Sequence, residues 1–102
     1  AGTALSTGST DGTGSAARFF YPNGIATDGT NLYVADSANQ TIRKIVIATG
    51  AVTTLTGTVG KYGTVDGSYA EAVFFKPQGI VASASGLPLY VTTENHNIRK
   101  IY

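Results

Sequence analysis

Phe19-Phe20-Tyr21-Pro22-Asn23-Gly24-Ile25 returns 55 positions later as Phe74-Phe75-Lys76-Pro77-Gln78-Gly79-Ile80. A repeat of this length outranks any local signal, because each copy is a block that buries its apolar faces only by stacking on its neighbours. Outward from that stretch, Asp11-Gly12 recurs at the same spacing as Asp66-Gly67. Downstream the register slips. Leu32-Tyr33-Val34 returns after 57 positions as Leu89-Tyr90-Val91, and Ile42-Arg43-Lys44-Ile45 after 56 as Ile98-Arg99-Lys100-Ile101. One change in length falls where Asp28-Gly29-Thr30-Asn31 becomes Ser83-Ala84-Ser85-Gly86-Leu87-Pro88, the other between Val34 and Ile42. Loops absorb such changes at little cost, so the segments between them are the elements.

Those segments read as strands at Gly24–Thr27, Leu32–Asp36, Thr41–Ile47 and Ala51–Thr56, rich in Ile, Val, Tyr and Thr and bounded by Gly, Asp, Asn or Ser. Asp28-Gly29 and Thr49-Gly50 mark tight turns between them, where glycine accepts a positive φ. Runs such as Ile45-Val46-Ile47 show no in/out alternation, so both sheet faces must be covered. The expectation is an all-β chain of two four-stranded antiparallel blades, each sandwiched between neighbours as in a β-propeller.

Four runs carry a family resemblance: Pro22-Asn23-Gly24-Ile25-Ala26, Asn31-Leu32-Tyr33-Val34-Ala35-Asp36, Asn39-Gln40-Thr41-Ile42-Arg43-Lys44-Ile45 and Gly50-Ala51-Val52-Thr53-Thr54-Leu55. Together they resemble an NHL repeat nearly position by position. The second copy follows through Tyr102 with Asn95-His96-Asn97-Ile98-Arg99-Lys100, and departs where Thr92-Thr93 replaces Ala35-Asp36. The resemblance implies a six-bladed propeller.

The chain then divides as a single two-blade unit over residues 1–102: a complete first blade at 22–57, a second blade at 77–102 without its outer strand, and inter-blade loops at 9–21 and 58–76. Thr3-Ala4-Leu5-Ser6-Thr7-Gly8 is similar to Thr53-Thr54-Leu55-Thr56-Gly57, the outer strand of a blade, so residues 1–8 are expected to close a neighbouring chain's blade. Two blades cannot form a ring, which needs about four to eight. The expected closure is head to tail, with Thr3, Ala4, Leu5 and Ser6 of one chain pairing with Ile98, Lys100, Ile101 and Tyr102 of the next, and a homotrimer completing six blades.

Seven Lys and Arg face six Asp and Glu, a net charge of +1, and they are scattered. No footprint for nucleic acid or a membrane surface follows. Without cysteine there is neither a disulfide framework nor a thiolate metal site. No apolar run approaches the roughly 20 residues of a spanning helix, so the chain reads as soluble. A start at Ala1 with no methionine fits initiator removal, signal cleavage or excision from a longer protein, and the Gly/Thr/Ser-rich composition suits a bacterial, secreted or periplasmic origin.

In a four-stranded meander the second-to-third-strand turns and the inter-blade loops emerge on one side. Candidate ligand-binding residues on that loop face are Tyr21, Asn23, Asn39, Gln40, Tyr62, Tyr69, Gln78, Glu94, Asn95 and His96. His96 stands in a turn where the first blade has Gln40, which favours a structural role over a catalytic one. Asp11 and Asp66 precede glycine as turn residues do, and no Asp-x-Asp-x-Asp ligand spacing is present, so no metal and no cofactor is expected. Asp36 and Arg43 are expected to form a partly buried pair bracing the turn between them, and Phe19, Phe20, Phe74 and Phe75 to fill gaps between blades.

The leading function is a non-catalytic interaction scaffold that binds a protein or small ligand on its loop face, since no nucleophile, base and oxyanion site assembles. The resemblance implies a binding platform for proteins or, in some relatives, RNA, which the near-neutral charge disfavours. One alternative that it also implies is a lyase or lactonase-like enzyme with a metal on the central axis. The other is a repeat fragment of a larger bacterial propeller with no separate activity.

Overall fold

The computed structural model of the chain describes residues 1–57, 76–94 and 96–101. The first blade contains β2 (Pro22–Thr27), β3 (Asn31–Asp36), β4 (Thr41–Val46) and β5 (Ala51–Gly57) as an antiparallel meander. The second contains β6 (Pro77–Ser83), β7 (Gly86–Thr93) and β8 (Ile98–Ile101), also antiparallel. Among the described residues the strands expected within the two blades are present, and no helix is long and apolar enough to cross a membrane.

The turns follow the chemistry of their residues. Asp28 Oδ1 accepts the backbone N–H groups of Thr30 (2.9 Å) and Asn31 (2.7 Å), and Gly29 adopts φ +93 beside it. Those two bonds, that of Asn31 foremost, hold the Asp28 carboxyl at about 2 rather than 3.8, because they stabilise its charged form. Tyr33 O–H donates to Asp28 Oδ2 at 3.0 Å. Burial, reinforced by that bond to the carboxylate, pushes the Tyr33 phenol up.

Side chains on alternate faces build two cores. One lies between the blades: Tyr33, Ala35 and Ile42 of the first meet Ile80, Leu89, Val91 and Ile101 of the second. The other lies behind the first blade, where Val34, Ile45 and Val52 pack with Ala17 and, at its edge, Phe19 and Leu32. The innermost strands approach so closely that a Cβ on Gly24 would overlap the Gln78 carbonyl oxygen. Glycine in Pro-Asn-Gly-Ile therefore sets the spacing of the blades.

Two expectations are corrected, for the 9–21 segment and for Phe20. The 9–21 segment is not wholly loop: a two-residue strand, β1 (Gly12–Thr13), pairs with Ala51 and Val52 and becomes a fifth strand on the outer edge of the first sheet. In the single chain, residues 1–8, expected to add a strand to a neighbouring chain, form no strand of their own. Ser6 N–H donates to the Thr3 carbonyl at 3.1 Å, Leu5 has φ +65, and only a single bridge joins Thr7 to Phe19. The amides of this segment bond within the chain instead, Gly2 N–H to the Gly14 carbonyl and Gly8 N–H to the Phe19 carbonyl. Lastly, Phe20 is exposed rather than packed between blades, while Phe19 is half-buried. Phe74 and Phe75, and most of the second inter-blade loop, lie outside the described residues.

Candidate functional site

The loop face is shaped by an ionic hub that the sequence only partly foretells. Arg43 and Asp36 are both fully buried, and Arg43 Nη1 donates to Asp36 Oδ2 at 3.0 Å. The same nitrogen reaches the Arg18 carbonyl, while Nη2 donates to the Thr10 carbonyl and to Asp11 Oδ1 at 2.9 Å. Phe20 N–H and Asn39 Nδ2 donate to the two oxygens of Asp36, and the Arg43 guanidinium lies 5.0 Å from the Phe19 ring centroid. A single planar cation with several donors thus pins the 9–21 segment across the blade. The expected Asp36–Arg43 pair is present; the recruitment of Asp11, 32 residues upstream, is what spacing alone could not show.

That pinning presents Phe20 and Tyr21 to solvent as a stacked pair, ring centroids 5.5 Å apart. Beside them lies a cleft of about 320 Å³ at the blade boundary, lined by Phe20, Tyr21, Asn23, Ser37, Ala38, Lys76, Gln78 and Glu94. Lys76 Nζ and Glu94 Oε2 are 3.7 Å apart on its second-blade side. The cleft offers aromatic surface, two carboxamides, the Ser37 and Tyr21 hydroxyls and one ion pair, a set suited to holding a polar ligand against an aromatic rim. Among the described residues no three His, Cys, Asp or Glu side chains gather to hold a metal.

Of the candidate residues, Tyr21, Asn23, Gln78 and Glu94 meet in this cleft. Asn39 and Gln40 do not, and this is a correction: both are buried. Asn39 Nδ2 is bound to the Gly8 carbonyl (2.6 Å) and Asp36, and Gln40 Oε1 accepts Lys76 N–H at 2.6 Å. Their amides fasten backbone rather than meet ligand. His96 is exposed in its turn but does not line the cleft. Tyr62, Tyr69 and Asn95 lie outside the described residues. Phe20, Ser37, Ala38 and Lys76 were not foreseen as lining residues. The one sequence signal for Lys76 is its alignment with Tyr21, and the two share a positive φ, +45 and +52.

Of the residues proposed to join neighbouring chains, Thr3, Ala4, Leu5, Ser6, Ile98 and Lys100 are exposed. Ile101 is instead buried in the core between the blades, because β8 alternates outward at 98 and 100 and inward at 99 and 101. Tyr102 lies outside the described residues. Glu94 pairs with Lys76, and Thr93 Oγ1 donates to Asn97 Oδ1 at 2.6 Å where the first blade has the Asp36 carboxylate.

No family model matches the chain. Its curated relatives include NHL repeat-containing protein 2 of Bos taurus, 37% identical over 95 residues, which are 90% of this chain and 13% of that protein. The chain thus spans about an eighth of the length of that relative. Similar solved structures include a protein of unknown function from Bacteroides thetaiotaomicron, with a TM-score of 0.87 and 30% identity over 97% of this chain and 25% of that one. Another is an auxiliary nutrient binding protein from Bacteroides ovatus, with a TM-score of 0.84 and 28% identity, covering 100% of this chain and 27% of that one. Repeat, blade meander and relatives agree: the chain belongs to the NHL-repeat family.

Proposed function

We propose that the chain is a non-catalytic propeller unit that binds a ligand in the loop-face cleft between its two blades. The observation that carries this is the convergence of Tyr21, Asn23, Gln78 and Glu94 on one cleft beside the stacked Phe20–Tyr21 pair. The auxiliary nutrient binding protein among the similar structures supports a ligand-binding role. In the same reading three chains close a six-bladed ring, residues Thr3–Ser6 leaving their turn to add the missing strand beside β8 of the next chain. What supports this is the likeness of Thr3–Gly8 to the outer strand Thr53–Gly57 and the exposure of Thr3, Ala4, Leu5 and Ser6.

Titration calorimetry with a panel of neutral oligosaccharides and short peptides tests the binding. One class is expected to saturate with the native chain and to bind at least about tenfold more weakly to Tyr21→Ala, as loss of an aromatic contact at a binding site entails. If every binder in the panel ignores Tyr21→Ala and Gln78→Ala, or none binds, the cleft is not the site.

A further inference from the structure

The boundary between the two blades is a template for a second boundary whose two halves the described residues carry on opposite faces. Across the internal boundary the first blade presents Tyr33 and Ile42, 4% and 0% exposed, to Ile80, Leu89, Val91 and Ile101 of the second. The repeat offsets carry Tyr33 to Tyr90 and Ile42 to Ile98 on the far face of the second blade. There they are 43% and 73% exposed.

The receiving half recurs as well. Ile80, Leu89, Val91 and Ile101 correspond to Ile25, Leu32, Val34 and Ile45 of the first blade. Those four line a largely apolar cavity of about 400 Å³ together with Ala1, Phe19 and Pro22, and Ile25 is 61% exposed. The chain therefore carries both unlike halves of one interface, on opposite faces. Such a contact is heterologous, and it closes into a ring when the rotation per unit permits.

We infer that the second-blade face bearing Tyr90 and Ile98 docks into the Ile25, Leu32, Val34 and Ile45 cavity of a second copy of this chain. This rests on the ring reading above and specifies what holds the ring together: sheet faces, with the added strand secondary. The template also assigns the single histidine. Gln40 bridges the internal boundary through its bond from Lys76 N–H, and His96 occupies the matching turn position with a matching φ, +62 for Gln40 and +71 for His96. Tyr21 is the counterpart of Lys76. In the assembly the His96 imidazole accepts the Tyr21 N–H of the next copy.

The test is light-scattering mass of the purified full chain at micromolar concentration, with circular dichroism as a control for folding. The native chain is expected at three times the 10.5 kDa chain mass. Ile25→Lys and Tyr90→Lys, each at an exposed position, are each expected to be monomeric. Mixed together they are expected to give a dimer and nothing larger, because one has an intact presenting face and the other an intact cavity. His96→Ala is expected to weaken each contact by up to about tenfold, the worth of one hydrogen bond, and His96→Gln to restore it.

A native ring that both lysine variants leave intact would overturn the face docking while leaving the ring reading standing. A folded native monomer would overturn both. Ile25→Lys dimerising on its own would show that a face meets itself, which also overturns the proposal.

Discussion

Asp36 is the residue on which the loop face depends. Its carboxylate is fully buried and accepts from Arg43, Asn39 and the Phe20 backbone, so it orients the cation that fastens residues 9–21. Asp36→Asn leaves Arg43 a buried cation with Asp11 as its one charged partner among the described residues, and Asp11 is itself half exposed. Breaking a buried pair by removing one partner costs about 3–5 kcal/mol, a loss expected in chemical denaturation. Unchanged stability would show that the hub does not brace the blade. Asp28 gives a pH-dependent counterpart. Its carboxyl titrates at about 2 in the folded chain against 3.8 ordinarily. The stabilisation is thus complete above pH ~4 and lost as pH falls through ~2. Asp28→Asn keeps an acceptor for the turn, so the variant should fold at neutral pH but show a flatter decline in thermal stability between pH 4 and 2.

At the scale of elements, the decisive contact is β2 against β6. A methyl group on Gly24 has nowhere to go but into the Gln78 carbonyl, so Gly24→Ala must part the inner strands at the boundary. Overpacking of this kind costs about 1–3 kcal/mol, measurable as a lower melting temperature, whereas Gly29→Ala meets nothing and should act only through its positive φ. The strands themselves were legible in the sequence because repeat spacing, β-branched runs and turn residues all pointed one way. Residues 1–8 were not. Their likeness to Thr53–Gly57 records sequence pattern, while strand formation needs an adjacent edge; in the single chain they bond instead to Gly14, Ser15, Arg18 and Phe19. The cleft was half legible: Tyr21, Asn23, Gln78 and Glu94 follow from loop position. Asn39 and Gln40 sit on equally polar turns, yet their amides are consumed by backbone groups that only the fold brings near.

Taken whole, the molecule is a segment of a β-propeller with apolar strand faces at both ends, and its stability should depend on how those faces are covered. If association covers them, the melting temperature of the native chain rises with protein concentration, since mass action favours the assembled state. A scan from micromolar to hundreds of micromolar checks this, and a constant melting temperature would argue for an unassociated chain. The ionic hub has a consequence on another timescale. Phe20 carries an exposed ring, but its amide donates to the buried Asp36 carboxylate, inside a cluster that joins Asp11, Asn39 and Arg43 from separate parts of the sequence. Deuterium can enter that amide only when the cluster opens, and such opening is close to unfolding of the blade. An aromatic ring at the solvent boundary would then ride on one of the slowest-exchanging amides in the chain.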